Sequence, residues 1–102
     1  MEKVMVYFDM PGVSGEQYDQ VWRDLRESGN PTPKGLLHHA AAPTPNSWLV
    51  VDVWESEDDF KEFGKTLMPI LEKNGFPKGD PVILPLHNMY VSSALHEYES
   101  KI

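Results

Sequence analysis

A chain of 102 residues with a net charge of -7 and no cysteine excludes several classes of function at once. That length holds one domain, which buries only about 60 to 70 % of its unfolded surface and so gains from dimerisation. The acidic balance disfavours nucleic acid and anionic membranes, which attract basic patches, and the missing thiols rule out disulfides, thiol catalysis and thiolate metal sites.

Val4 to Phe8 is β-branched and aromatic and runs into the breakers Asp9-Met10-Pro11-Gly12, which predicts a first strand. Ser14 and Gln17 form a capping box ahead of the apolar stripe Tyr18, Val21, Trp22 and Leu25, so a first helix begins there. Gly29 and Pro31 stop it near Ser28. Leu36 to Ala42 reads as a second strand, and the turn Pro43-Thr44-Pro45-Asn46-Ser47 leads into the alternating stretch Ser47 to Ser56. On this third strand Leu49, Val51 and Val53 share one side, a plain core face, while Trp48, Val50, Asp52 and Trp54 share the other. Two indoles around a carboxylate suit a cavity or a subunit interface better than a core.

Ser56 and Asp59 open a second helix. Its buried stripe is Phe60, Phe63, Leu67 and Leu71, Pro69 kinks or restarts it, and Gly75 caps it. Val82 to Val91 is a fourth strand, at an edge or bulged because Pro85 cannot donate to a central ladder. Residues 1–91 are thus the domain, and 92–102 a tail that frays or reaches onto a partner. With a charged start at Met1-Glu2-Lys3-Val4 and no stretch of bilayer-spanning length, a cytoplasmic protein is expected.

The order strand, helix, strand, strand, helix, strand predicts a ferredoxin-like α+β fold, an antiparallel sheet with both helices on one face. The face bearing Trp48, Asp52 and Trp54 then has no helix to cover it, and a second copy of the sheet would enclose a cavity there. Hairpin register decides which imidazole faces Asp52: five loop residues place His38 opposite it, four place His39. A carboxylate held against a histidine fixes the tautomer and raises basicity, which suits a general base. Of His87 and Asn88, alternation sends one into the cavity. Tyr7 either donates a hydrogen bond to a ligand carbonyl or packs with its hydroxyl at the rim. Trp48 and Trp54 either sandwich a flat ligand or form the centre of the dimer interface, and Trp22 belongs to the core. His38, His39, His87 and Asp52 lack metal-ligand spacing, so no metal is expected. There is no glycine-rich phosphate loop and no nucleophile elbow.

From Val4 to Val91 the chain resembles the dimeric α+β barrel superfamily, which includes the antibiotic-biosynthesis-monooxygenase-like proteins and their stress-responsive and polyketide-cyclase relatives. Met10-Pro11-Gly12-Val13, Gly35-Leu36-Leu37-His38-His39, Val51-Asp52-Val53-Trp54-Glu55-Ser56 and Pro85-Leu86-His87-Asn88 are similar to motifs of a narrower actinobacterial-type group. That group carries histidines where His39 and His87 stand and more often an aromatic residue in the place of His38. The resemblance implies a homodimer around a small apolar or aromatic ligand; the fold hosts several reactions. The expected activity is cofactor-independent monooxygenation or cyclisation of an aromatic or polyketide-like substrate. His39 or His38 with Asp52 would take a proton, and Tyr7 or His87 would steady the anion. The alternatives are a non-catalytic ligand-binding or stress-related dimer, and a haem-binding protein.

Overall fold

Six elements follow one another in the computed structural model, which describes residues 2–30 and 32–94. They are β1 (Val4–Pro11), α1 (Gly15–Glu27), β2 (Leu36–Pro43), β3 (Ser47–Trp54), α2 (Glu57–Lys73) and β4 (Val82–Pro85). The strands form one antiparallel sheet in the order β2-β3-β1-β4. This is the ferredoxin-like α+β architecture expected from the element order.

Local chemistry sets most boundaries where the sequence places them. Ser14 caps α1 through a reciprocal pair: its hydroxyl accepts from the Gln17 backbone N–H at 3.2 Å, and its own N–H donates to the Gln17 side chain at 2.9 Å. The helix ends at Ser28 and the chain turns at Gly29 in the left-handed region, φ 87°. Ser56 caps α2 by accepting from the Asp59 N–H at 3.1 Å, and three acids fill its first turn, where the helix dipole favours them.

Three boundaries differ from expectation. β1 continues through Asp9 to Pro11 because β3 offers a partner that far, Pro11 lying opposite Ser47. α2 runs through Pro69 without restarting. Pro69 is exposed while Phe63, Leu67, Ile70 and Leu71 pack into the core, so the missing hydrogen bond falls on the wet side and the packed stripe holds the helix together. β4 stops at Pro85 instead of Val91: it runs antiparallel to β1, pairs Pro85 with Val4, and after one further bond from the Leu86 N–H to the Lys3 carbonyl (3.0 Å) it passes the end of its partner. Of the expected tail, only residues 92–94 fall within the described residues.

The larger correction concerns the two faces of the sheet. Val50, Asp52 and Trp54 lie beneath the helices, together with Val4, Val6 and Phe8 of β1, and all but Phe8 are fully buried. Trp54, fully buried at 0 % exposure, packs on Phe60 and Phe63 of α2, with ring centroids 5.6 and 5.4 Å apart. The opposite face, carrying Leu49, Val51 and Val53, is the one without a helix. The expectation reversed the faces because a carboxylate looks foreign to a core; its oxygens are in fact paired, which removes the cost of burying it. Tyr7 and Met5 of β1 and Val82 and Leu84 of β4 share the open face, where Val82 and Leu84 are 45 % and 43 % exposed.

The helices are tied to each other by polar side chains. Asp24 of α1 accepts from Asn74 Nδ2 and from Gln20 Nε2, each at 2.9 Å, and Gln17 Nε2 donates to the Asn74 carbonyl at 3.0 Å. Those amides, Asn74 first, hold the Asp24 carboxyl below its usual range.

Candidate functional site

Between sheet and helices lies a cavity of about 60 Å³. That corresponds to roughly two waters at liquid density. Its walls are apolar: Phe8 and Val50 from the sheet, Leu25 from α1, Phe63, Leu67 and Leu71 from α2, and Phe76 just after it. The polar atoms come from one corner, where Tyr18 and Trp22 of α1 meet His39 of β2 and Asp52 and Trp54 of β3.

The hairpin delivers His39 to that corner. Pro43 pairs with Trp48, so the loop holds four residues, and His39 falls directly opposite Asp52. A β-bulge at Leu37 then shifts the register, returning Leu36 opposite Trp54 and turning it inward while Leu37 is 41 % exposed. Both hairpin readings therefore hold a part of the truth, and the bulge is what joins them.

The four polar side chains form one hydrogen-bonded row. Trp54 Nε1 donates to Asp52 Oδ2 at 3.2 Å, and His39 Nδ1 stands 2.5 Å from Asp52 Oδ1. His39 Nε2 is in turn engaged by the hydroxyl of Tyr18. The tautomer is assigned from these partners: a carboxylate only accepts, so Nδ1 carries the hydrogen and Nε2 accepts from the Tyr18 O–H. Burial pushes the Tyr18 hydroxyl up to about 12, against the opposing effect of the Trp22 indole and with smaller contributions from Asp52 and Asp19. Trp22 meets the His39 ring edge-on, centroids 5.1 Å apart, and Trp48 leans on Tyr18 at 5.1 Å. Trp48 also lies over Gly15, where an added Cβ would meet two of its ring carbons at 3.4 Å. The Trp48 indole N–H is buried without an acceptor among the described residues.

Such a row can store and release one proton. Asp52 orients and electrostatically supports the imidazole, as in any carboxylate–histidine pair. A haem does not fit these residues, because both nitrogens of His39 are occupied by hydrogen bonds and no lone pair is left for iron. His38 and His87 are exposed.

Neither a family model nor a curated protein matches the chain. Solved structures do. SnoaB, a cofactor-independent oxygenase from Streptomyces nogalater, is 14 % identical with a TM-score of 0.61, over 87 % of this chain and 97 % of its own. A candidate antibiotic biosynthesis monooxygenase from Chloroflexus aurantiacus is 12 % identical with a TM-score of 0.58, over 88 % and 99 %. A dimeric ferredoxin-like protein from an uncultured marine organism is 17 % identical with a TM-score of 0.53, over 91 % and 95 %. The chain shares their fold. At these identities the likeness to antibiotic-biosynthesis-monooxygenase-like proteins reaches the ferredoxin-like framework and stops short of the chemistry.

Within that framework, the residues singled out from the sequence separate into two groups. His39, Asp52 and Trp54 meet at the cavity, and Trp48 stands behind Tyr18. His38 and Tyr7 lie on the open face of the sheet instead, because each pairs with a valine of the outward set, Val53 and Val51. His87 and Asn88 follow the end of β4 and are exposed, so strand alternation does not apply to them. Tyr18 is the polar residue that sequence reasoning passed over. It stands at the head of an apolar helical stripe, and a phenol buried there needs a partner for its hydroxyl. No helix among the described residues is long and apolar enough to cross a membrane.

Proposed function

We propose that the protein forms a homodimer and binds a small aromatic molecule in the cavity between sheet and helices, where the Asp52–His39 pair removes a proton from it. The observation that carries this reading is the pair itself: an imidazole held by a carboxylate at the one polar corner of an apolar chamber. Deprotonation of a phenol or activated methylene yields an electron-rich anion, which either meets dioxygen or closes onto an internal carbonyl. This is the chemistry of cofactor-independent oxygenation and cyclisation, and SnoaB, with the same fold, is a cofactor-independent oxygenase. A cavity of about 60 Å³ disfavours a polycyclic substrate.

The dimer surface in this reading is the open face of the sheet. Val82 and Leu84 are more than two-fifths exposed there, beside Met5, Tyr7, Leu49 and Val51. A contiguous apolar face on a small monomer calls for a cover, and one neighbour of the same fold is dimeric.

A second reading, binding without turnover, is favoured by one detail: the Tyr18 hydroxyl closes the basic nitrogen of His39. Screening one-ring phenols by thermal shift, followed by oxygen-uptake and product assays on hits, tests the first reading. A His39→Ala protein that keeps a hit's affinity and loses turnover supports it. Undiminished turnover in that variant sinks it, and saturable binding with no turnover in the parent protein leaves the second reading.

A further inference from the structure

We propose that Tyr18, rather than His39, is the group that meets the ligand, and that the site selects one-ring phenols or enols by passing their acidic proton through the Tyr18 hydroxyl to His39. This deepens the reading of Asp52–His39 as a base and rests on it.

The inference follows from counting hydrogen-bonding capacity along the row. Asp52 spends one oxygen on His39 and the other on Trp54. His39 spends Nδ1 on Asp52 and Nε2 on Tyr18, so it has no free nitrogen to offer a ligand. The Trp54 N–H is likewise spent. Tyr18 gives its O–H to His39 and has the Trp22 indole beside one lone pair of its oxygen, which leaves the other lone pair as the acceptor the row turns toward the cavity. A chamber whose polar corner presents an acceptor against apolar walls is complementary to a ligand that brings a donor on a flat apolar body. A hydroxyl group on one aromatic ring, or an enol of similar size, has that form. A ketone, ether or carboxylate would set its lone pairs against those of Tyr18 and leave them unpaired in an apolar pocket.

The transfer balances without any co-reactant. The ligand's O–H bond breaks and its proton forms a new O–H bond on Tyr18, while Tyr18's own O–H bond breaks and that proton forms an N–H bond at His39 Nε2. The ligand becomes an anion, Tyr18 ends as it began, and His39 becomes an imidazolium held by Asp52. Tyr18 then donates to the ligand anion it has just created, so the same hydroxyl serves before and after transfer. Burial supports this role by keeping the resting phenol protonated at neutral pH, with its ionisation pushed up to about 12.

4-Nitrophenol and 4-nitroanisole test the proposal, since they share a ring and differ in the acidic proton, and the phenolate of the first is yellow. The expected result is that the protein binds the phenol roughly tenfold or more tightly than the ether, the scale of a hydrogen bond to a developing charge. The bound phenol should show the phenolate band at a pH where the free compound is colourless. Tyr18→Phe should keep the affinity for the ether and lose both the preference and the band; His39→Ala should lose the band as well. Equal affinity for the two compounds in the parent protein overturns the proposal. A phenolate band that persists in Tyr18→Phe but vanishes in His39→Ala also overturns it, while leaving the Asp52–His39 base intact. If neither compound binds at all, the underlying reading of the cavity fails and the proposal falls with it. A crystal structure of the parent protein with 4-nitrophenol decides the same point without a variant: the phenol oxygen on Tyr18 supports the relay, and on His39 with the tyrosine ring displaced overturns it.

Discussion

Trp54 and Asp52 stand two residues apart on one face of β3, and the indole Nε1 of the first donates to Oδ2 of the second at 3.2 Å. Strand alternation puts them side by side, and that contact lets a carboxylate lie at 6 % exposure in the core while its other oxygen holds His39. Asp52→Asn disturbs both bonds at once, because the new amide has one acceptor for two donors and turns an N–H toward either the imidazole or the indole. The expected loss is about 1–3 kcal/mol of stability, read as a fall in Tm of several degrees for a domain this small. Trp54→Phe, which vacates one oxygen and leaves a gap beside Phe60 and Phe63, should cost a similar amount. Unchanged melting of Asp52→Asn would mean that the two bonds contribute nothing net.

Alkaline titration reports on Tyr18. Its folded ionisation is raised by burial to about 12, above the unfolded value of about 10. A raised folded value means that the native state holds a proton which the unfolded chain has released. The contribution to stability is therefore complete below about pH 10 and is lost as pH rises through about 12. Absorbance titration of the phenolate should show one late-ionising component, and Tyr18→Phe should remove it. A titration curve of the variant that differs only in amplitude, with its late component intact, would place Tyr18 in water.

Gly35 combines a left-handed backbone with a neighbour that leaves no room for a side chain. It adopts φ 86°, its carbonyl accepts from the Glu55 N–H at 2.8 Å, and an added Cβ would overlap Oδ2 of Asp59 and stand 2.7 Å from both Cβ and Cγ of that residue. Gly35→Ala should cost about 1–3 kcal/mol from the strained φ alone, with the clash added. In a denaturant melt, Asp59→Ala should relieve only the part of the clash made by the carboxyl, because the Cβ of residue 59 stays, so the double variant should sit between Gly35→Ala and the parent. A double variant as stable as the parent would show that φ carries no penalty here.

Leu84 tests the dimer surface. At 43 % exposure in the monomer, opposite Met5 on the sheet face that carries no helix, it would be buried by a second sheet. Sedimentation of the parent protein should give a dimer, and Leu84→Lys should give a folded monomer, since a buried unpaired ammonium costs several kcal/mol per subunit. A dimer that survives the substitution would exclude this face. A parent that sediments as a monomer would remove the homodimer altogether.

The ferredoxin-like α+β framework was legible from residue order alone, because its signals are local. Ser14 with Gln17, Gly29 before Pro31 and Ser56 with Asp59 each satisfy backbone groups within a few residues, so the helices start and stop where those residues stand. The pairing of a histidine with Asp52 was also legible, since a loop of four or five residues at 43–47 brings His39 or His38 across from it. Four matters were settled only in three dimensions. The choice of His39 depends on a four-residue loop followed by a bulge at Leu37, and alternation carries no mark of a bulge. The face that receives the helices depends on whether Asp52 finds donors, and those come from His39 on β2 and from Trp54, an indole whose hydrogen bond is invisible in a hydropathy pattern. The end of β4 depends on where β1 begins as its partner. Tyr18 joins the site because α1 crosses over β2 and β3, which sets a hydroxyl from residue 18 against an imidazole from residue 39. Sequence spacing governs contacts along an element, and contacts between elements follow from packing.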